Sequence, residues 1–369
     1  MVCNARKTMR TNRAFTLVEI LTVIVIIAIL VTLVTVAVAG AMRAAKIGRI
    51  GMEMSQIAMA IERYKAEFGE YPPDFFDDVA LVRHVKKRWP RFELPGSTTD
   101  EQAFSIRLAM TLVYMNPAVY TPALRTEWLG KSEEWGIGFP SGVSTAALSS
   151  LCFWLGGFPD QEGKFAGFDA DPEAPFGRSA STGEPNCGDM SAGLLTDVII
   201  NNPDKKCFLE LTVNKNVHFT GIDASYALVP CIASRISSDT VVPIVYFHGS
   251  ADGGPNAYCY TDPISSNPSE LKQINFADIH PGSVTLGLSD VSDWYKFGVV
   301  VPYAMRGNDS SDVVWYESSK YQLIHPGLDG KFGEGSDMRF IKSGAGIGAQ
   351  DLDNLTNFSD YKELKNILP

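Results

Sequence analysis

The sequence predicts an α+β fold, in which a long N-terminal α-helix, membrane-spanning in its first half, packs on a mainly antiparallel β-sheet of a head domain. Three observations predict this fold. One charged residue, Glu19, lies between Phe15 and Gly40, an apolar stripe continues at helical spacing to residue 68, and short strand-like segments follow from about residue 206. A helix laid on an antiparallel sheet is a common two-layer arrangement.

The first element is an apolar segment long enough to cross a bilayer. It begins at Phe15, and residues 20–42 contain no charged side chain. A helix needs roughly 20 apolar residues to span the hydrocarbon core. The segment follows a basic leader that contains Arg6, Lys7, Arg10 and Arg13. We therefore predict a single-pass helix, and no other segment of the sequence is apolar enough to span a membrane.

The helix is predicted to continue beyond the membrane with one apolar face. Apolar residues recur at spacings of three and four, as on one side of an α-helix: Ile50, Met54, Ile57, Ile61, Tyr64 and Phe68. Gly69 and the prolines of Tyr71-Pro72-Pro73 end the pattern, because glycine caps helices and proline cannot continue them. The helix and its cap occupy residues 15–73, and the head domain occupies residues 74–369.

The head domain is predicted to start with helices and to continue with strands. Thr98 and Glu101 form a capping-box pattern, and Ser144 precedes a second helical segment. Residues 160–190 are rich in Gly, Pro, Asp and Ser, which predicts a surface loop. Eight short segments then have strand composition: CFLELTV, YALVP, VVPIVYFH, AYCY, SVTLGL, FGVVVPYAM, VVWYE and KYQLIH.

Charge and cysteine content restrict the function. The formal net charge is −10, and removal of the basic leader would make the chain more acidic. This balance argues against a nucleic-acid partner, which would require a basic face. One of the six cysteines, Cys3, lies in the leader. The other five are compatible with two disulfides and one free thiol in an oxidising compartment, or with five buried thiols.

The N-terminal segment has two ordinary interpretations. As a secretory signal peptide it would be cut after Ala37-Val38-Ala39, but its apolar region is far longer than the usual 7–15 residues. As a plain uncut signal anchor it would leave the acid at Glu19 without a role. Neither interpretation explains why a carboxylate lies at the start of the apolar stretch.

A third interpretation explains the acid. Residues 13–19, R-A-F-T-L-V-E, closely resemble the N-terminal signal of prepilins and pseudopilins. The resemblance implies that a prepilin peptidase removes residues 1–14 by cutting between Ala14 and Phe15, and that the new N-terminus is methylated. Ala14 replaces the usual glycine before the cut and keeps the side chain small. The proline that is frequent midway along such helices is replaced by Val36.

Glu19 would then have a partner in a neighbouring subunit. A charged side chain inside a bilayer costs several kcal/mol, so such acids are rare and usually paired. Cleavage would create a positive amine on Phe15, and an axially offset neighbour could bring that amine to Glu19. An unpaired Glu19 would penalise subunits in the wrong register. The helix dipole also favours a carboxylate in the first turns.

The resemblance implies a structural subunit of a type IV pilus or a type II secretion pseudopilus, and not an enzyme. Its partners would be the prepilin peptidase and methyltransferase, an inner-membrane assembly platform, other pilin or pseudopilin subunits, and the membrane itself. The protein would be a single-pass inner-membrane protein with its head in the periplasm or on the cell surface. The alternative is an exported binding or enzymatic domain displayed on a pilin-type helix without polymerising.

The head carries no pattern that indicates catalysis. Its five histidines are scattered and form no H-E-x-x-H motif. The glycine-rich stretch at residues 344–348 lacks the surrounding elements of a dinucleotide-binding unit.

One segment, residues 325–360, does predict a metal site. Glycine-rich turns alternate there with aspartates, and calcium prefers carboxylate and carbonyl oxygens. The segment is similar to the C-terminal loop of major pseudopilins of type II secretion, which holds a structural calcium. The resemblance assigns Asp329, in Gly327-Leu328-Asp329-Gly330, as the first ligand and Asp351 or Asp353 as the later one. A solvated acidic loop without metal is the alternative.

Overall fold

A computed structural model describes most of the chain. The described residues are 16–114, 143–160, 163–186, 198–200, 202–213, 215–221, 228–237, 240–250, 252–260, 270–276, 297–306, 313–334 and 339–369. The chain forms two compact units, residues 1–48 and residues 49–369, and the second is called the head unit below. The predicted divisions after residues 14 and 73 concern processing and the end of the helix, and they stay predictions.

Helix α1, Leu17–Phe68, begins in the first unit. Its apolar side chains there are exposed, for example Ile24 at 53% and Leu33 at 65%. Within the described residues, α1 is the one helix that is long and apolar enough to cross a membrane. Water is a poor solvent for such a surface, whereas the hydrocarbon core of a bilayer accommodates it.

In the head unit, α1 buries the predicted apolar face. Its buried residues are Ile50, Met54, Ile57, Ala60, Ile61 and Tyr64. The helix ends at Phe68, and Gly69 has a φ of +79° with its amide donating to the carbonyl of Lys65 at 2.7 Å. The left-handed conformation is accessible to glycine without steric cost, so this residue ends the helix as predicted.

The segment that follows α1 is fixed to the centre of the head unit by its backbone carbonyls. The indole Nε1 of Trp154 donates to the carbonyl of Pro73 at 2.9 Å, and the hydroxyl of Tyr246 donates to that of Pro72 at 2.7 Å. Asp74 forms a buried ion pair with Lys272, with a distance of 2.8 Å between Oδ2 and Nζ. Buried polar groups need such partners, and here they orient the exit of the helix.

Three further α-helices are described. They are α2 (Asp78–Arg88), α3 (Thr99–Tyr114) and α4 (Val143–Gly156). The capping box predicted for α3 is confirmed, because the amide of Glu101 donates to the hydroxyl of Thr98 and the amide of Thr98 donates to the carboxylate of Glu101. Trp154 of α4 is fully buried beside His84 of α2, with ring centroids 4.8 Å apart.

The strands form six small sheets within the described residues, and most of their pairs are antiparallel. The predicted α+β class is confirmed. The strands are short, however, and they form several sheets of two or three strands rather than one sheet. In order along the chain, the strands are β1 (Arg178–Ser179), β2 (Val198–Ile199), β3 (Val217–Gly221), β4 (Leu228–Arg235), β5 (Val241–Pro243), β6 (Val245–His248), β7 (Cys259–Tyr260), β8 (Glu270–Leu271), β9 (Ile274–Asn275), β10 (Val299–Val300), β11 (Tyr303–Arg306), β12 (Val314–Trp315), β13 (Tyr321–His325), β14 (Arg339–Phe340) and β15 (Leu355–Thr356).

Two of these sheets position residues 325–360, the segment in which the sequence predicts a metal site. Strand β13 lies between β6 and β15 and pairs antiparallel with both. Strand β11 lies between β12 and β14, and its pairing with β14 is parallel. Residues 325–360 therefore run from the end of β13, through β14, and back to β15 beside β13.

The prediction of a surface loop over residues 160–190 is wrong for the aromatic residues of this segment, although residues 180–184 are exposed. Phe165, Phe168 and Phe176 are at most 2% exposed. The ring of Phe168 lies 4.9 Å from that of Trp89 and 5.0 Å from that of Phe153. Burial of large aromatic surface is a strong driving force, and it outweighs the turn-forming composition of the segment.

Of the cysteines in the described part of the chain, Cys152, Cys207, Cys231 and Cys259 are free thiols. Cys152 and Cys231 are buried, as expected of thiols that act as small apolar side chains. Cys3 and Cys187 lie outside the described residues, as does the predicted strand segment SVTLGL.

Candidate functional site

The start of α1 holds Glu19 by local hydrogen bonds. The backbone amide and the hydroxyl of Thr16 both donate to Oε2 of Glu19, at 2.8 and 2.9 Å. The amide of Glu19 donates in return to the hydroxyl of Thr16 at 3.3 Å. This reciprocal arrangement is a capping box, which satisfies amide groups that have no partner within the helix. Ala14 and Phe15 lie outside the described residues.

The capping box of Thr16 and Glu19 is visible in the sequence itself. Residues 16–19, T-L-V-E, have the threonine-to-glutamate spacing of a capping box. Glu19 therefore has a local structural role that is separate from any contact with a neighbouring subunit. The carboxylate lies in the first turn of the helix, where the helix dipole favours a negative charge.

A second candidate site follows strand β13. The amides of Leu328 and Asp329 both donate to Oδ2 of Asp353, at 2.8 and 3.1 Å. Gly327 has a φ of +70°, and a Cβ atom there would lie 2.4 Å from the carboxyl carbon of Asp353. The turn at residues 327–330 therefore requires glycine at its first position, both for its backbone conformation and for the approach of Asp353.

The carboxylate of Asp353 reaches the turn at Asp329, whose amide donates to it at 3.1 Å. Partial burial raises the pKa of Asp329 to about 6, and the nearby charge of Asp353 contributes to the increase. The amide of Lys331 opposes this effect by donating to Oδ1 of Asp329 at 2.8 Å. Two adjacent carboxylates repel each other, and a cation between them would relieve that repulsion. Carboxylate oxygens and the carbonyls of a glycine-rich turn suit calcium.

The third predicted ligand, Asp351, lies in a different environment. It is fully buried, and its Oδ1 is 3.2 Å from Nη1 of Arg339. The hydroxyl of Tyr303 donates to the same oxygen at 2.8 Å, and the amide of Gly348 donates to Oδ2 at 2.9 Å. Burial raises the pKa of Asp351, and the guanidinium of Arg339 opposes that increase.

The structure thus brings Asp329 and Asp353 together and places Asp351 with Arg339. Within the described residues, no group of three or more His, Cys, Asp or Glu side chains is arranged to hold a metal ion. A calcium site at the turn would therefore depend on two carboxylates, with backbone carbonyls or water completing the coordination.

The N-terminal segment also resembles a known family motif. Residues 9–35 match the model of the prokaryotic N-terminal methylation motif. This match includes Ala14, Phe15, Glu19 and most of the apolar segment, and it is consistent with the prepilin segment of type IV pilin-like proteins. No curated protein and no solved structure matches the chain.

Together, the apolar helix and the motif give the chain an N-terminal segment like that of processed type IV pilin-like proteins. The long apolar helix indicates a single-pass membrane anchor. The motif implies processing by a prepilin peptidase, and it is typical of structural rather than enzymatic proteins.

Proposed function

We propose that the protein is a structural subunit of a type IV pilus or of a type II secretion pseudopilus. The observation that carries this proposal is the methylation motif at residues 9–35, which contains the start of an apolar helix with an acid in its first turn. The capping box with Thr16 gives this acid a local role in any helix, but a signal peptide or an ordinary anchor does not use its negative charge. A helix that packs against copies of itself does, because the acid defines the register of packing.

Assembly would depend on Glu19 and the amine of a neighbouring subunit. The Thr16 hydroxyl and amide partly satisfy the carboxylate in the single chain. These donors are neutral, so the negative charge still lacks a counter-ion in the membrane. The methylated amine of Phe15 on an adjacent copy supplies that counter-ion. Residues 15 to about 39 would form the core of the filament, and the head would form its outer surface.

The proposal includes the partners of such a filament. They are a prepilin peptidase and methyltransferase, an assembly platform in the inner membrane, and other pilin or pseudopilin subunits. The protein would be inserted in the inner membrane with its head in the periplasm or on the cell surface. No nucleic-acid partner is proposed, because the chain is acidic overall.

The processing step can be tested by intact mass and N-terminal sequencing of the protein purified from membranes. We expect the mature chain to begin at Phe15 and to carry one added methyl group on its amine. A mature N-terminus at Gly40 would instead identify a secretory signal peptide, and an intact leader would identify an uncut anchor. Either result would contradict the proposal.

Assembly can be tested by crosslinking in membranes that contain the peptidase. We expect wild-type protein to give a ladder of crosslinked multimers, and Glu19→Ala to lose it. Thr22→Ala is the matched control, since Thr22 lies one turn further along α1 and its hydroxyl bonds only to backbone carbonyls of its own helix. This variant should keep the ladder. Identical patterns for wild type and Glu19→Ala, or no ladder from either, would favour a displayed domain that does not polymerise.

We also propose that calcium binds the turn at residues 327–330 through Asp329 and Asp353. The contact between Asp353 and the amide of Asp329 supports this ligand pair, and so does the contribution of the Asp353 charge to the raised pKa of Asp329. When bound, calcium would neutralise their repulsion and join the turn to the segment before β15. Asp353 already orders the turn through the amides of Leu328 and Asp329, so its position does not depend on the ion.

The calcium proposal can be tested by thermal unfolding of the full chain in detergent, in EGTA and in excess calcium chloride. Calcium should raise the Tm of the wild type, and the double variant Asp329→Asn/Asp353→Asn should lose that response. Asp360→Asn is the control, because Asp360 is an exposed aspartate of the same segment. A wild-type Tm that ignores calcium would refute the site.

A further inference from the structure

The buried ion pair between Arg339 and Asp351 occupies the position where the sequence predicts a metal ligand. Both side chains are 1% exposed. Arg339 lies on β14 and also donates from Nη2 to the carbonyl of Val299 on β10, at 2.8 Å. One guanidinium therefore joins β10 and β14 to the 3-10 turn Ala349–Asp351 that contains the acid.

The oxygens of Asp351 are largely used by partners from this chain. In addition to its ion pair with Arg339, Oδ1 accepts a hydrogen bond from the hydroxyl of Tyr303, which in turn accepts from Nδ2 of Asn354 at 2.8 Å. Oδ2 accepts from the amide of Gly348. On the remaining side, the carboxylate lies against Gly333, where an added Cβ atom would be 2.7 Å from Oδ2. Six to eight oxygen ligands could not reach a calcium ion at this carboxylate without displacing these groups.

We infer that Arg339 supplies the positive charge that Asp351 needs, so that Asp351 is not a calcium ligand. The ion pair then stabilises the segment between β13 and β15 at Asp351 without a metal ion. The inference refines the calcium proposal, because it confines calcium to Asp329 and Asp353. A carboxylate that is buried without a counter-ion is strongly unfavourable, and the guanidinium supplies the counter-ion. Its planar shape also lets a second nitrogen donate to the carbonyl of Val299.

A double-mutant cycle on the full chain in detergent tests this inference. Arg339→Met, Asp351→Asn and the double variant are compared with the wild type by Tm in EGTA. Arg339→Met should lower the Tm, because it leaves a buried charge without a partner. The addition of Asp351→Asn should recover part of that loss, because it removes the same charge. An unchanged Tm for Arg339→Met, or strictly additive losses in the double variant, would overturn the inference.

Arg178 provides the matched control. It forms an ion pair of the same chemistry with Asp171, at 2.7 Å, but both side chains are about one-third exposed. Arg178→Met should lower the Tm much less than Arg339→Met, since solvent screens an exposed pair. If Arg339→Met does not fold, Arg339→Lys replaces it in the same cycle. The lysine variant should melt below the wild type, and the coupling with Asp351→Asn should persist.

The calcium response separates this inference from the calcium proposal. Asp351→Asn should keep the wild-type Tm increase in calcium chloride, whereas Asp329→Asn/Asp353→Asn should lose it. Loss of the response in Asp351→Asn would make Asp351 a calcium ligand and would overturn the inference. A wild type without any calcium response would refute the calcium proposal alone, because the cycle in EGTA still tests the pair formed by Arg339 and Asp351.

Discussion

Three acidic side chains of this protein have different roles because their neighbours differ. Glu19 accepts from the amide and hydroxyl of Thr16 at the start of α1. Asp351 is buried against a guanidinium, whereas Asp77 is exposed and caps α2. The first and third roles depend on residues within one helical turn. The second depends on Arg339, which lies on strand β14 and outside the 3-10 turn that contains Asp351.

The cap of α2 gives a prediction for one residue. Oδ1 of Asp77 accepts from the amide of Ala80 at 2.9 Å. Asp77→Ala should lower the free energy of unfolding by about 1 kcal/mol, because one backbone amide loses its partner. Asp77→Asn should cost less, since its side-chain oxygen can still accept that bond. Urea unfolding monitored by tryptophan fluorescence measures both variants, and equal losses would show that the bond is not the cause.

At the scale of elements, neighbouring residues determine where helix α1 ends, whereas a distant side chain determines the position of the turn at residues 327–330. Helix α1 ends at Phe68 because Gly69 adopts a left-handed conformation, which is a local property of the chain. The turn at residues 327–330 also contains glycines with positive φ, but its position is fixed by Asp353, some 25 residues later. A local motif therefore predicts that a turn forms, and a distant side chain determines what the turn contacts.

This difference can be measured with two glycines. Gly327 and Gly344 have φ values of +70° and +71°, but only at Gly327 would a Cβ atom meet a neighbour, the carboxyl group of Asp353. Gly344→Ala should lose about 1 kcal/mol of unfolding free energy from backbone strain alone. Gly327→Ala should lose clearly more and should also lose any calcium response. Similar losses in the two variants would show that contact with Asp353 does not constrain the turn.

At the scale of the whole molecule, the head unit buries several histidines in a neutral state. Burial lowers the pKa of His325 to about 3, and the charge of Arg49 adds to the effect. Burial also lowers the pKa of His84, although Glu70 opposes this with a hydrogen bond at 2.7 Å. Both rings are at most 1% exposed. His325, which has no carboxylate among the causes of its shift, cannot take up a proton without a large cost in the folded state.

Acidification should therefore destabilise the head unit. The unfolded chain binds a proton at each histidine below about pH 6.5, whereas folded His325 does so only near pH 3. The stability contributed by a neutral His325 is complete above pH 6.5 and is lost as the pH falls toward 3, at about 1.4 kcal/mol per pH unit. Unfolding curves between pH 7 and pH 4 measure this slope. His325→Leu should flatten it, and an unchanged slope would show that His325 does not contribute.

The sequence by itself determined the features that depend on neighbouring residues. These are the apolar span, the face of α1 from Ile50 to Tyr64, its end at Gly69 and the cap of α3, because periodicity and capping are local properties. It also contained the prepilin-type segment, in which residues 13–19 are contiguous. The resemblance to pseudopilins predicted that either Asp351 or Asp353 acts together with Asp329, and only the structure distinguished between them by placing Asp353 at the amide of Asp329.

Only the tertiary structure decided which partner each buried side chain has. It placed Arg339 beside Asp351 and buried Phe165, Phe168 and Phe176 in a segment with the composition of a loop. In the part of the chain that the structure describes, it also divided the strands among six short sheets. These outcomes depend on contacts between residues far apart in the chain. Their free energies come from desolvation and close packing, which are set by the whole arrangement of the head unit rather than by any one segment.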